Sequence, residues 1–464
     1  MINALTADRG HFPRLEEFHR FAGPPDERAT KGPSLRHWPI TKSTTLLSIG
    51  RLIALAPGTT VRVKNSFRTR TSRTAAFLLA AAAAAIAAGC TGDVRHAPSH
   101  RPAAAARVPG TITVAATGDF LLHQPLITQA AEDAAASGHH GWNFLPMLSQ
   151  LRPLIDTADV GICHMETPVA TRRGPFAGYP EFNSPPQIVD AVRDLGYDTC
   201  STASNHTLDQ GDAGVRRTLG ALDAAGVRHT GSARGPAEAE RTNMLDAHGV
   251  KVAQLSYTYG TNGVPIPAGR PWLVNSGLDA PAILHAAARA RAEGAAIVIV
   301  SLHWGEEYRH APTDEQRALA RRLLASPDVD LIIGDHVHVV QPFDRIDGKW
   351  VVYGMGNQIA NPTANGEDTH EGLVARFRLT RDAAGRWRAA ASFVPTLVEA
   401  GPPIRLVDLP RALARDDLPA SSRARYRAAL DRTTAAVRSL GAKVPVLDGP
   451  LEGPPASAEQ LAGP

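Results

Sequence analysis

The sequence predicts a layered α/β domain, with a mixed sheet or two stacked sheets covered by helices. Three observations carry this reading. Short β-branched strands alternate with amphipathic helices through the first half of the folded region. Hairpin patterns recur in its second half. Five strand-like segments end in clusters of His, Asp, Glu or Asn, which is where open α/β sheets place ligands.

The chain has 464 residues, enough for one large domain or two ordinary ones. Its formal charge of +4 is unevenly placed. Residues 1–110 hold 16 Lys and Arg against 6 Asp and Glu, and removing this surplus of +10 from +4 leaves −6 on the rest. The folded part is therefore mildly acidic, and no nucleic-acid partner is expected. The three cysteines, Cys90, Cys163 and Cys200, show no CxxC spacing, so neither a Cys-rich zinc site nor a disulfide framework is expected. Cys163 and Cys200 lie in apolar runs and read as buried free thiols.

The basic surplus belongs to a targeting segment. Residues 62–90 combine Arg62, Lys64, Arg68, Arg70 and Arg73 with the uncharged run Ala75 to Ala88, and end Ala-Ala-Gly-Cys. That is the layout of a secretory signal. Cys90 after small residues resembles a bacterial lipoprotein cleavage site and is the expected lipidation point, although Ala87 stands where such sites carry a larger aliphatic residue. The expected location is extracytoplasmic, anchored to the membrane at the cell surface, with plain secretion as the alternative. Residues 1–61 precede the signal and read as a non-native extension, with the true start near Val61 or Val63. Residues 91–110 read as a flexible tether.

From residue 111 to 400 one domain is expected. Thr111 to Ala116 is a strand followed by Gly118-Asp119. Residues 124–138 and 143–157 read as helices. Ala158 to Cys163 is a strand ending in His164-Met165-Glu166. Pro185 to Gly196 is a helix with Pro at its start and Gly at its end, and it leads to the strand Tyr197–Ala203. That strand runs into Ser204-Asn205-His206, with Asp209 three residues on. A helix follows over 212–226, a hairpin over 243–259 and a helix over 280–294. Ala295 to Leu302 is a buried strand ending in His303-Trp304-Gly305-Glu306-Glu307. After a helix over 314–325, Asp330 to Ile333 is a strand ending in Gly334-Asp335-His336-Val337-His338. Hairpins follow over 342–354 and 372–398. Residues 401–443 are expected to be helical, and 444–464 a disordered tail.

The five clusters are Asp119 with His123, His164 with Glu166, Asn205 with His206, His303 with Glu307, and His336 with His338. Each alone has an ordinary explanation as a turn, a cap or a packed ring. Together they form a mixed nitrogen and oxygen donor set suited to a divalent Mn, Zn or Fe ion, one or two in number. On an extended segment His336 and His338 would point to one side.

The motifs Gly118-Asp119, Glu166-Thr167, SNHTLDQG at 204–211, LHWGEEY at 302–308, GDHVHVVQP at 334–342 and YGMGN at 353–357 resemble the CapA family of poly-γ-glutamate capsule synthesis proteins. That family is related to calcineurin-like metallophosphoesterases. The resemblance covers residues 111–360 and implies a four-layer αββα sandwich of the metallophosphoesterase type. It implies Asp119, Glu166 (as the bridging carboxylate), Asn205, His303, His336 and His338 as metal ligands. It implies His206 as the catalytic proton donor, with Asp209 holding it. His164, Glu307 and Asn357 are further residues supporting the metal or the substrate. The first motif departs from the pattern, because Leu121 stands where metallophosphoesterases carry a histidine. His123 and His164 are the two candidates to replace it.

Two functions are expected from this. One is a metal-dependent hydrolase or capsule biosynthesis factor acting on an anionic polymer or a small substrate, with Arg172 or Arg173 neutralising its charge. The other is a non-catalytic anchored subunit that binds an anionic polymer within a capsule synthase or export complex.

Overall fold

The computed structural model describes residues 110–361 and 366–447. The extension, the signal with Cys90 and the tether up to residue 109 lie outside the described residues. Fourteen strands form two mixed sheets among the described residues. The first contains β1 (Thr111–Phe120), β2 (Val160–His164), β3 (Thr199–Ser201), β4 (Arg228–Thr230), β11 (Asn357–Ile359), β12 (Glu371–Arg381), β13 (Trp387–Glu399) and β14 (Arg405–Asp408). Its order is β14-β13-β12-β1-β2-β3-β4, with β11 also pairing β1. The second contains β5 (Asn243–Ala247), β6 (Val250–Thr258), β7 (Ile297–His303), β8 (Leu331–Asp335), β9 (Phe343–Ile346) and β10 (Lys349–Val352), in the order β5-β6-β7-β8-β10-β9.

The period of two along the strands produces four layers. Val114, Ala116, Val160 and Ile162 of the first sheet pack against Val252, Ile297, Ile299, Leu331 and Ile333 of the second. Their chain neighbours face outward into helices. Ala115 and Cys163 meet Leu126, Ile188 and Leu219 from α1 (Gln124–Ala136), α2 (Gln187–Asp194) and α3 (Gly211–Ala225). Val298, Val300 and Ile332 meet Ile283, Ala287 and Leu323 from α4 (Ala280–Ala292) and α5 (Asp314–Leu324). This is the αββα sandwich.

Several expectations change. The helix over 143–157 is three short turns, Leu145–Leu148, Ser149–Leu151 and Arg152–Ile155, because Pro146 and Pro153 each restart it. Within the region read as helical after residue 400, Arg405–Asp408 is a strand paired to β13, ahead of α6 (Ala420–Val437). Residues 444–447 pack on the domain: Val444 is buried, and Leu447 N–H donates to Phe393 O at 2.9 Å. Cys163 and Cys200 are not free thiols but a disulfide, since parallel pairing of β2 and β3 sets them in register with Cα atoms 4.5 Å apart.

Within each sheet the backbone closes tightly around the end of a central strand, β8 in the second and β1 in the first. A Cβ on Gly334 would lie 2.0 Å from Tyr353 O, and one on Gly118 1.9 Å from Gly356 O. Backbone stands on the other side of both contacts, so neither can yield. Gly334→Ala is expected to cost about 3 kcal/mol or more and to lower Tm by about 6 °C or more, measured by calorimetry.

Candidate metal centre

Strand register places the polar residues before any side-chain geometry is considered. In the first sheet Asn357, Asp119, His164 and Ser201 are consecutive cross-strand partners. In the second Thr258, His303 and Asp335 are. Both rows sit where parallel strands end, and the loops that follow add Glu166, Asn205, His206, His336 and His338. All of these are buried.

Glu166 occupies the middle. Its Oε1 lies 3.8 Å from His303 Nε2 and 4.0 Å from His338 Nε2. Neither carboxylate oxygen has a hydrogen-bond partner. Asn205 Oδ1 is 2.8 Å from His303 Nε2, and the Asn205 amide donates to Asn262 Oδ1 at 3.1 Å. Asp119 accepts the backbone N–H of His336 at 3.2 and 3.3 Å and lies 3.2 Å from His338 Nδ1. Asn357 Oδ1 is 3.0 Å from that same nitrogen and fixes the ring. Three sets can each hold a cation, their ligand atoms within 4.8 Å of one another: Asp119, Glu166 and His338; Asp119, His164 and His303; Glu307, His336 and His338.

The missing first-motif histidine has a counterpart in His164. Its Nε2 is 3.8 Å from Asp119 Oδ1 and has no other partner, while Nδ1 is held 2.8 Å from Ser201 Oγ. His123 instead lines the outer cleft, bonded to the carbonyl of Leu121 at 3.1 Å. Arg172 and Arg173 are not at the site. Both are exposed, and Arg172 pairs with Asp190 at 3.4 Å. His336 and His338 converge on the centre, but not through an extended segment. Their φ angles are +93° and +56°, so the loop turns on itself instead of alternating. Asn262 and Tyr308, at +50° and +63°, are also left-handed. Four of the six non-glycine residues with positive φ among those described thus surround this centre, each at a cost of about 1–3 kcal/mol.

One carboxylate was not singled out in the sequence. Asp335 ends β8, is buried, and has Oδ2 3.7 Å from His164 Nδ1. The signal for it was present, as the strand-terminal Asp directly before His336. Tyr259, whose ring lies 4.6 Å from that of His336, carried no such signal.

Burial dominates the electrostatics. It pushes the pKa of His164 down to about 4 and of His336 to about 3, and holds that of His303 well below its ordinary value. Burial, reinforced by Asp119, pushes Glu166 and Asp335 well up. For Asp119 and His338 burial is overcome by their mutual hydrogen bond and charge, so Asp119 is lowered and His338 raised. Burial thus favours neutral imidazoles and protonated acids in the metal-free centre, while the Asp119–His338 contact favours the charged pair. The unpartnered buried atoms of Glu166, His164, His303, His336 and Asp335 are a donor set that fits a divalent ion. Such an ion needs Glu166 ionised and His338 neutral, so binding expels protons. Titration calorimetry with Mn2+ near neutral pH, in PIPES and in Tris, is expected to show a buffer-dependent enthalpy corresponding to proton release.

Beside the centre, His206 Nδ1 lies 2.7 Å from Asp209 Oδ2. The Phe182 backbone N–H donates to that same oxygen at 2.8 Å. His206 lines a cleft of about 650 Å³ together with Asn205, Asp209, Glu307, His338 and Asn357. The ring is therefore oriented, with Nε2 left to serve the cleft.

A four-layer sandwich whose parallel strands end on carboxylate, amide and imidazole donors defines an αββα protein with a candidate metal centre at its strand ends. The chain belongs to the bacterial capsule synthesis protein family: the family model described as "Bacterial capsule synthesis protein PGA_cap" matches residues 113–362. It is similar to "PGA biosynthesis protein CapA" of Bacillus subtilis, at 24% identity over 51% of this chain and 62% of that protein. It is similar also to "Capsule biosynthesis protein CapA" of Bacillus anthracis, at 30% identity over 37% of this chain and 42% of that protein. The chain thus spans less than two thirds of the length of these relatives. Among solved structures it matches the calcineurin-like phosphoesterase YfkN of Bacillus subtilis, with a TM-score of 0.36 and 16% identity over 61% of this chain and 90% of that one.

Proposed function

We propose that this protein is a metal-dependent hydrolase of capsule polymer metabolism, working on the outer face of the membrane. The observation that carries the reading is the adjacency of two devices: the unpartnered Glu166 carboxylate among four imidazoles, and the oriented His206–Asp209 pair in a cleft that the centre's Asn205 and His338 also line. Asp119, Glu166, Asn205, His303, His336 and His338, with His164 beside Asp119, would hold one or two divalent ions. When bound, such an ion supplies Lewis acidity to the reacting phosphoryl or acyl centre and acidifies a water.

The chain's own residues do the rest. His206 hands a proton from Nε2 to the departing oxygen or nitrogen, and Asp209 steadies the imidazolium through Nδ1. Asn357 and Ser201 keep the His338 and His164 rings from turning. The capsule assignment rests on family membership and on the relatives' names. A surface location rests on the signal-like residues 62–90 and fits the disulfide between Cys163 and Cys200, a bond that persists in oxidising compartments.

A second reading is an anchored, non-catalytic subunit of a synthase complex that grips an anionic polymer. It is favoured by the name of a Mycobacterium tuberculosis relative, "Probable polyglutamine synthesis accessory protein", 29% identical over 50% of this chain. The test is turnover by Mn2+-loaded protein on a phosphodiester, bis-p-nitrophenyl phosphate, and on a γ-glutamyl anilide. Turnover of either that stops on chelation supports the hydrolase. No turnover of either, with metal demonstrably bound, supports the accessory subunit.

A further inference from the structure

Large apolar side chains are almost all covered in this domain. Among the described residues four are exposed, Tyr179 (74%), Tyr308 (47%), Tyr259 (43%) and Val264 (37%). They are not scattered. Tyr179, Tyr308 and Val264 line the cleft beside His206, and Tyr259 lies against the metal-centre rings, stacked with His303 at 6.3 Å and tilted on His336 at 4.6 Å. They come from three separate segments, with Tyr259 and Val264 in one loop, so their gathering is a property of the tertiary fold. Exposed apolar surface concentrated at the mouth of a polar cleft marks a ligand wall.

Apart from its three histidines, His123, His206 and His338, the polar part of that wall is acidic or neutral. The cleft is lined by Glu181, Glu307, Asp209, Asn262 and Asn357, and no Lys or Arg is among its lining residues. A chain with a carboxylate on every unit would meet two glutamates, with any countercharge confined to the histidines and the centre itself. Carboxylates and amides accept hydrogen bonds from hydroxyl groups, and a tyrosine ring offers its face to apolar C–H groups. A saturated ring with hydroxyls at its rim and C–H bonds on its face satisfies both.

We propose that the cleft wall binds an uncharged, hydroxyl-rich sugar ring: Tyr179 and Tyr308 stack on its faces, Glu181 accepts its hydroxyls, and the one group that bears charge is directed to the centre. This deepens the proposed function, because it rests on the cleft being the substrate site and names the class of molecule as a glycan. A nucleoside or a γ-glutamyl chain is the competing occupant.

The experiment is binding rather than turnover, so it stands apart from catalysis. Full-length protein loaded with Mn2+ is screened on an array of neutral bacterial glycans. The best glycan is then compared by calorimetry with adenosine and with a γ-glutamyl trimer. The expected result is that the glycan binds tightest. Tyr179→Ala and Tyr308→Ala should each weaken it about three- to tenfold, and Glu181→Gln should weaken it in the same direction. Melting temperature and metal content should be unchanged in all three. Absence of binding to any glycan, tighter binding of adenosine or the trimer, or glycan affinity unmoved by these substitutions would overturn the proposal. Loss of hydrolytic turnover with glycan binding intact would instead count against the hydrolase alone.

Discussion

His206→Ala is expected to lower kcat by about 10²–10⁴-fold, the usual contribution of a placed general acid, while the metal content of the purified protein stays at the wild-type level. His206 belongs to none of the three ligand sets, so its removal leaves the metal donors intact. Its Nδ1 is taken by Asp209, a carboxylate buried with it and also fixed by the Phe182 N–H. A proton donor matters most when the departing group is a poor one. The loss should therefore be steep for an alkyl phosphoester and shallow for a p-nitrophenyl ester. Asp209→Asn should give a smaller loss with the same dependence on the departing group. Equal losses across all esters would assign His206 to substrate binding instead.

Glu166→Gln is expected to remove most of the stabilisation that metal confers, while leaving the metal-free protein as stable as wild type or more so. A ligand bound only by the folded state at a thousand times its Kd stabilises by about 4 kcal/mol. Glu166 stands between the His303 and His338 groups, so its loss affects both. In the metal-free protein it is a buried acid with two unpartnered oxygens. Its folded-state pKa is raised, so its contribution to stability is complete below its ordinary pKa of 4.5 and is lost as pH rises through the raised value. Calorimetry from about pH 5 to about pH 8 should show wild-type metal-free Tm falling more than that of the variant. Added Mn2+ should reverse the fall in wild type only. A metal-induced rise of equal size in both proteins would exclude Glu166 as a ligand.

Much of this was legible in the sequence because strand and helix periodicities are strong where elements are long. The β1 strand, the β7 strand and the 372–398 hairpin are long apolar runs, buried on both faces over enough length to be read. The strands β4 and β11 are three residues long and carry no period to detect. The centre was legible because its ligands cluster at strand ends. Asp335 was hidden by the histidine beside it. The role of His164 depended on register, since only its pairing opposite Asp119 makes it a neighbour of that carboxylate. The pairing of Cys163 with Cys200 across 37 residues needed the same register. The cleft wall was illegible because Tyr179 and Tyr308 sit in loops, where exposure has no sequence period.

The central claim is that these strand ends hold a divalent ion on Glu166. Elemental analysis of full-length protein, loaded with Mn2+ or Zn2+ and freed of excess by desalting, tests it most directly. Wild type should retain one or two equivalents per chain, and Glu166→Ala should retain fewer. No metal above blank in folded wild type, or the same content in the Glu166→Ala protein, would contradict it.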